Sequence, residues 1–105
     1  MATAKRLYGP AQPATSDTSL YDPPAAGSVL TGVLLTNTTG SVATATLAIG
    51  TTATAANRLL DGVSVPANDS IFVPMSIPLV DADVVYGKQG TSTALNFTLV
   101  GLDLT

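Results

Sequence analysis

One ten-residue segment, Ser70–Leu79, alternates strictly between two kinds of position. Every second residue from Ile71 onward is a large apolar side chain, and the positions between them include Pro74 and Pro78. A period of two places these sets on opposite faces of a β-strand, and it does not fit the 3.6-residue period of a helix. Because proline has no backbone N–H, two prolines on one face favour an edge strand, whose outer donors need no partner. The segment therefore predicts an edge strand of a β-sheet.

Segments of similar β-forming character recur about every ten residues after position 28. They are Ser28–Thr36, Ser41–Ile49, Arg58–Val65, Ser70–Leu79, Val84–Tyr86 and Ser92–Leu104. Apart from a weak run near residues 53–60, apolar residues do not recur with the spacing of an amphipathic helix. The pattern predicts an all-β chain of about seven or eight strands, folded as a single antiparallel β-sandwich with jelly-roll-like or Greek-key topology.

Turn residues between these segments predict how the strands connect. Asn37–Gly40 (NTTG) is typical of a tight turn, so the strand after it is expected to pair back on the strand before it as a hairpin. Asp61-Gly62 predicts a break or bulge within its strand, and residues 87–90 predict a turn. In the last segment the apolar positions change parity after Leu99, which indicates a bulge at Gly101.

Residues 1–27 differ in composition from the rest of the chain. They hold four of the seven prolines, together with two apolar-aromatic pairs, Leu7-Tyr8 and Leu20-Tyr21. Proline fixes φ and removes a backbone donor, so this stretch is at best an interrupted strand. We expect an extended N-terminal arm, separate from a β-sandwich domain at residues 28–105; a loosely docked tail is the alternative. Fully stretched, the arm would span on the order of 80–90 Å, enough to contact an adjacent subunit.

The chain lacks the side chains that carry most protein chemistry. It contains no cysteine, histidine, tryptophan or glutamate, and only 10% of its residues are charged. Ser-His-Asp and Cys-His catalytic groups are therefore excluded, as are zinc sites of the ordinary ligand type. No glycine-rich phosphate loop with its following Lys-Ser/Thr is present. We expect no catalytic residue, no cofactor and no enzymatic activity.

All seven acidic residues are aspartates, and most of them fall in predicted turns. A turn aspartate ordinarily accepts a hydrogen bond from its own backbone. Asp81 and Asp83 lie two residues apart and could contribute to a calcium site, which needs six or more oxygen ligands. Two acids in one turn fall far short of that number, so we expect no metal site.

The charge of the chain and the length of its apolar segments limit the classes of partner that it can bind. The net charge is −3 at pH 7, and the four basic residues are scattered along the chain. Nucleic-acid binding needs several clustered contacts to phosphate, so no nucleic-acid partner is expected. No apolar segment follows Lys5-Arg6, unlike in a secretory signal, and runs such as Val33-Leu34-Leu35 are too short to span a membrane. We expect a soluble protein that is made in the cytoplasm and has no membrane partner.

The mean hydropathy of +0.41 is high for a small soluble monomer, whose surface ordinarily carries charge. Two explanations stay open: threonine and serine replace charges on the outer faces, or partner proteins cover part of the surface. Three groups of residues are candidates for such contacts. They are Leu7, Tyr8, Leu20 and Tyr21 of the arm, Pro74 and Pro78 of the edge strand, and Val100, Leu102 and Leu104 of the closing strand.

The order of strand and turn signatures carries a family resemblance. In sequence, the signatures are Leu20–Gly27 (LYDPPAAG), Val29–Leu35, Asn37–Gly40, Val65–Ser70 (VPANDS), Asp81–Val84 and a Thr/Val-rich closing strand that reaches Gly101. This order, which covers nearly the whole chain, resembles a group of small virion proteins of tailed phages. The resemblance implies a structural part of the virion, made in the host cytoplasm and attached in many copies to the capsid shell or to the tail and fibre apparatus.

Two placements in the virion follow from the resemblance, and the fold class suggests a third function. The first is a capsid decoration or cement protein, a homo-oligomer with a trimer favoured, which binds the major capsid protein or other virion proteins. The second is an adaptor in the tail, collar or fibre base. The third is a glycan-binding module, since β-sandwiches often serve that role, with Tyr86 beside Lys88-Gln89 as its exposed aromatic platform.

Overall fold

The computed structural model describes residues 2–104. They form eight β-strands, with one turn of 3-10 helix at Ala55–Asn57 as the helical element among them. The strands are β1 (Ala2–Ala11), β2 (Thr18–Tyr21), β3 (Ser28–Asn37), β4 (Ala43–Gly50), β5 (Arg58–Val65), β6 (Ser70–Leu79), β7 (Val84–Gln89) and β8 (Leu95–Leu104).

The strands form two four-stranded sheets that pack on each other. The strand order is β1-β8-β3-β6 in the first sheet and β2-β7-β4-β5 in the second, and every neighbouring pair is antiparallel. The first strand thus pairs with the last, the second with the seventh, the third with the sixth and the fourth with the fifth. This nested order is that of a jelly roll. It confirms the predicted all-β antiparallel sandwich.

The hydrophobic core lies between the inward faces of the two sheets. In β8, Leu95, Phe97 and Leu99 are fully buried and alternate with residues that point outward. Leu35 of β3 and Leu47 of β4 are buried in the same cluster. Complete burial of a side chain of this size contributes about 1.5–3 kcal/mol. The period-two alternation read from the sequence therefore identifies the side chains that hold the sheets together.

Within residues 2–27, β1 and β2 are extended, as predicted, but they are built into the sandwich and do not form a separate arm. β1 pairs with β8 at the edge of the first sheet, and β2 pairs with β7 at the edge of the second. Leu7 and Leu20 reach the core, with 7% and 8% of their surface exposed. The prolines interrupt pairing without preventing it, because they fall near the end of β1 and in the connections that follow β1 and β2. The predicted boundary at residue 28 is therefore wrong.

The predicted hairpin between β3 and β4 is also wrong. β3 lies in the first sheet between β8 and β6, so both of its edges are occupied, and the turn carries the chain across to the second sheet. The buried side chain of Asn37 fixes this crossing. Its Oδ1 accepts hydrogen bonds from the backbone N–H and the hydroxyl of Thr39, and its Nδ2 donates to the carbonyls of Ser41 and Val65.

Two predictions about single strands are confirmed. β6 spans Ser70–Leu79 and is the edge strand of the first sheet. In β5, the register with β4 shifts at Asp61-Gly62, where two residues face Thr46 alone. The Gly62 N–H donates to the Thr46 hydroxyl at 3.2 Å, which satisfies a donor that the bulge removes from the ladder.

Two other predictions about strands require correction. β7 continues through the predicted turn to Gln89, whose buried side chain accepts the backbone N–H groups of Ala94 and Leu95 and donates to the carbonyl of Pro13. β8 has no bulge at Gly101. The strands on its two sides, β1 and β3, each carry one additional residue there instead. Gly101 itself has no room for a side chain, because a Cβ would lie 2.2 Å from the Val29 carbonyl oxygen.

Candidate interaction surface

The register of the first sheet brings two separately predicted groups of interface residues onto one face. Pro74 of β6 and Val100 of β8 both pair with Gly32, which lies between them on β3. On the other side of the register shift at Thr31, Pro78 and Leu102 both pair with Val29. Residues paired directly across antiparallel strands share a face. These side chains therefore form continuous rows on the outside of the first sheet.

A third row, which the sequence analysis did not single out, completes this surface. Leu34 of β3 pairs with Phe72 on one side and with Thr98 on the other. Leu34 points outward between the fully buried Val33 and Leu35, and Phe72 has the same parity as the two prolines of β6. That shared parity was the available signal. We call the surface made by Leu34, Phe72, Pro74, Pro78, Val100 and Leu102 the apolar face.

The apolar face is accessible in the isolated chain. Phe72 is 52% exposed and Leu34 is 38% exposed, and Leu104, at the end of the row on β8, is 37% exposed. Pro74 and Pro78 are exposed as well, while Val100 and Leu102 are half-buried. A contiguous group of large apolar side chains outside the core is typical of a surface that another molecule covers.

The aromatic ring of Phe72 lies over Gly32. A Cβ built on Gly32 would meet the Cζ atom of Phe72 at 2.3 Å and its Cε1 atom at 2.8 Å, so the ring occupies the space that any other residue at position 32 would need. A side chain at position 32 would displace the ring, so the glycine allows a large aromatic group to lie at the centre of the apolar face.

Charge is nearly absent from the apolar face. The four strands of the first sheet carry three charged residues, Lys5, Arg6 and Asp103. Lys5 and Asp103 form an ion pair with each other at 2.8 Å. Arg6 pairs with Val100 on the edge strand β1. Among the described residues of the first sheet, it is the charged side chain that lies on this face.

The outer face of the second sheet has a different character. Lys88 pairs with Thr46, and Arg58, which pairs with Ala48, forms an ion pair with Asp61 at 2.9 Å. Tyr86, the predicted glycan platform, also lies on β7, but its ring is half-buried and its hydroxyl donates to the Thr51 carbonyl at 3.3 Å. The two outer faces of the sandwich therefore differ in charge, and the apolar one belongs to the first sheet.

The four interface candidates near the N-terminus do not lie on the apolar face. Leu7 and Leu20 are part of the core between the sheets, and Tyr8 and Tyr21 are partly buried against it. Burial raises the pKa of Tyr8 above its ordinary value. These side chains are already covered by their own chain, because β1 and β2 are strands of the sandwich.

Asp103 joins the two sheets through a polar cluster. Its Oδ1 accepts hydrogen bonds from the Tyr21 hydroxyl on β2 and, at 2.6 Å, from the Ser28 hydroxyl on β3. Its Oδ2 accepts from the ammonium group of Lys5 on β1 at 2.8 Å. The hydrogen bonds from Lys5, Ser28 and Tyr21 lower the pKa of Asp103 to about 2. The Ser28 hydroxyl is buried and already donates to a carboxylate, so the cluster links strands and presents no free nucleophile.

Two of the turn aspartates accept hydrogen bonds from backbone groups close to them in sequence. Asp69 accepts a hydrogen bond from the Ser70 N–H, and Asp83 accepts one from the Val80 N–H, as predicted for turn aspartates. Burial, followed by the hydrogen bond to Asp103, raises the pKa of Tyr21. Across residues 2–104, no three acidic side chains gather into a potential metal site, and no ligand-sized cavity opens.

Within the part of the chain that the structure describes, no helix is long and apolar enough to cross a membrane. Comparisons with protein-family models, with curated proteins and with solved structures find no match to this chain.

Proposed function

We propose that this protein is a non-enzymatic structural component of a bacteriophage virion, a capsid decoration or cement protein that coats and stabilises the shell in many copies. The observation that carries this proposal is the apolar face: an exposed, nearly uncharged surface on one side of a rigid jelly roll. A surface of this kind serves association with proteins. The resemblance of the chain's strand and turn signatures to small virion proteins of tailed phages supports the same role.

The free energy available from covering the apolar face is consistent with a subunit that is stabilised by contacts with neighbouring proteins. An aromatic side chain buries about 150–250 Å² on full burial, so covering the exposed half of Phe72 would stabilise a complex by about 2 kcal/mol. Leu34, Leu104 and the two prolines would add smaller amounts. Copies joined through such contacts bind the major capsid protein or other virion proteins with avidity, because each assembly presents several binding sites. We expect it to act as a homo-oligomer, with a trimer favoured.

The fold supports the proposal by analogy. Jelly rolls occur in viral capsid domains and also in lectins, and a fold by itself does not decide between such functions. The apolar face favours the structural role, because the six side chains that define it carry no hydrogen-bonding group for a sugar. The glycan-binding alternative depends on Tyr86, whose hydroxyl is already bound to Thr51.

Copy number in the particle tests the virion role. In purified particles of the phage that encodes this chain, quantitative mass spectrometry should find it at a level comparable to the major capsid protein. A level of only a small fraction of the capsid protein would indicate the alternative, an adaptor in the tail, collar or fibre base. Absence from the particles would contradict the virion role, and a glycan array with Tyr86→Ala as the control would then test the glycan-binding module.

Attachment of the purified protein to particles that lack it tests the surface. Phe72→Asp places a carboxylate at the centre of the apolar face and should reduce occupancy at least tenfold, since about 1.4 kcal/mol corresponds to a factor of ten. Ser64→Asp is the matched control, because Ser64 is exposed on β5 in the second sheet. Equal occupancy for the two variants would show that attachment does not depend on the apolar face.

A further inference from the structure

We propose that the apolar face is a self-association surface, on which the same face of further copies of this chain packs, sheet against sheet. This inference deepens the structural role proposed above and names the partner that the face takes. It rests on three properties of the first sheet: its charge distribution, its area and the composition of its edge strand.

The charge distribution allows two copies of the face to meet. Like charges placed opposite each other across a contact are destabilising, so a face that packs on its own copy must be nearly free of one-signed charge. The chain carries a net charge of −3, yet among residues 2–104 no side-chain carboxylate points out of the first sheet, since Asp103 is bound by Lys5, Ser28 and Tyr21. The other six aspartates lie in the second sheet or in turns and connections. Arg6, on the edge strand β1, leaves the centre uncharged.

The area matches what a stable contact between copies requires. All four strands of the first sheet are ten residues long. With strands about 4.8 Å apart and a rise of about 3.3 Å per residue, the face measures about 20 by 33 Å, or roughly 600 Å² in projection. Standard interfaces bury about 800 Å² of accessible surface on each partner. Because the relief of the side chains adds to the projected area, the first sheet alone supplies a standard interface.

The edge strand β6 favours packing through the face over pairing through the edge. Pro74 and Pro78 are the fifth and the ninth of the ten residues of β6, and neither can donate a backbone hydrogen bond to an added strand. The side chains of the same two prolines lie on the apolar face. Proline loses no side-chain entropy when it is covered. The residues that weaken the edge as a docking site thus strengthen the face.

The width of the sheet also fits a trimer. The sheet is about 14 Å wide between its outer strand axes and about 20 Å wide with the full width of those strands. Three such sheets that close around a threefold axis as a triangular prism would each lie about 4–6 Å from the axis. Two packed sheets are about 10 Å apart, so each lies about 5 Å from the plane between them. The side chains of the apolar face therefore have the length to fill the space at the axis. Three copies satisfy the geometry without leaving a channel.

Sedimentation equilibrium of the purified full-length chain tests this inference without any particle. The expected mass at micromolar concentration is a multiple of the monomer's 10.5 kDa, with three copies favoured. Phe72→Asp and, independently, Ser76→Arg should weaken association at least tenfold. Ser76 is exposed on the same face and makes no part of the core, so this second variant keeps its fold. Ser64→Arg, on the second sheet, should associate like the unmodified chain.

The outcomes separate this inference from the virion role. A monomer at tens of micromolar, or an oligomer that Ser76→Arg leaves intact, overturns the self-association of the apolar face. Either result leaves the virion role to be decided by copy number in particles. Conversely, an oligomer that depends on Phe72 and Ser76 supports the inference even where particles lack the protein.

Discussion

At the scale of single residues, a buried amide determines where the chain crosses between sheets. The side chain of Asn37 is 2% exposed and uses both its oxygen and its nitrogen in hydrogen bonds to the turn and to the end of β5. Asn37→Ala removes these bonds and leaves the Val65 carbonyl without this donor. We expect a loss of about 2–3 kcal/mol in the free energy of unfolding, measured by urea denaturation. Asn96→Ala, on the outer side of β8, should change it by less than about 0.5 kcal/mol.

Asp103 is a second single residue with a large effect, because it makes the free energy of unfolding depend on pH in the acid range. Its pKa in the folded chain is about 2, below the ordinary 3.8, so its stabilisation is present above about pH 4 and is lost as the pH falls towards 2. The loss is at most about 2 kcal/mol, since one pKa unit corresponds to about 1.4 kcal/mol and the carboxylate is 16% exposed. Unfolding measured between pH 5 and 2 should show this slope. Asp103→Asn should flatten it, and an unchanged slope would contradict the role of the cluster.

Individual residues also show which features of the apolar face could not be predicted from the sequence. Pro74 and Val100 were identified separately, from an edge-strand pattern and from a parity change. Their position on one face depends on the register of β3 between β6 and β8, which alternation along one strand does not contain. Phe72 was missed because its role depends on Gly32 in another strand. A period of two identifies the two faces of a strand, but the partner strands decide which residues become neighbours.

At the scale of elements, the N-terminal segment is part of the folded unit. Removal of residues 1–27 deletes β1 and β2, the edge strands at one side of each sheet, and takes Leu7 and Leu20 from the core. We expect the truncated chain to lose cooperative thermal unfolding or to aggregate, because the new edges are unprotected and the core is open. A truncated chain that unfolds cooperatively at the same temperature as the intact one would show that the segment is a dispensable arm.

Most of the strands after residue 28 were predictable, whereas their partners were not. β6 and the bulge in β5 follow from alternation and from Asp61-Gly62, which are local features. The crossing after β3 and the pairing of β1 with β8 depend on contacts between distant parts of the chain. Proline content suggested an arm for residues 1–27 because the prolines were counted together. Their positions near strand ends are what allow the pairing.

At the scale of the whole molecule, the jelly roll separates two outer faces of unlike character. One carries Lys88 and the Arg58–Asp61 ion pair, and the other carries the apolar face. The first sheet contributes to the high mean hydropathy of the chain, because it places large apolar side chains outward as well as inward. We therefore favour coverage by partner proteins as the explanation, with copies of this chain as the first partner.

Chemical labelling in the assembled state tests that account most directly. The chain has no cysteine, so Ser76→Cys and Ser64→Cys each introduce a single thiol, one on the apolar face and one on the second sheet. Both thiols should react readily with a maleimide in the unfolded chain. In the native assembly, the account predicts that the thiol at position 76 is protected while the thiol at position 64 reacts. Equal labelling of the two positions would contradict it.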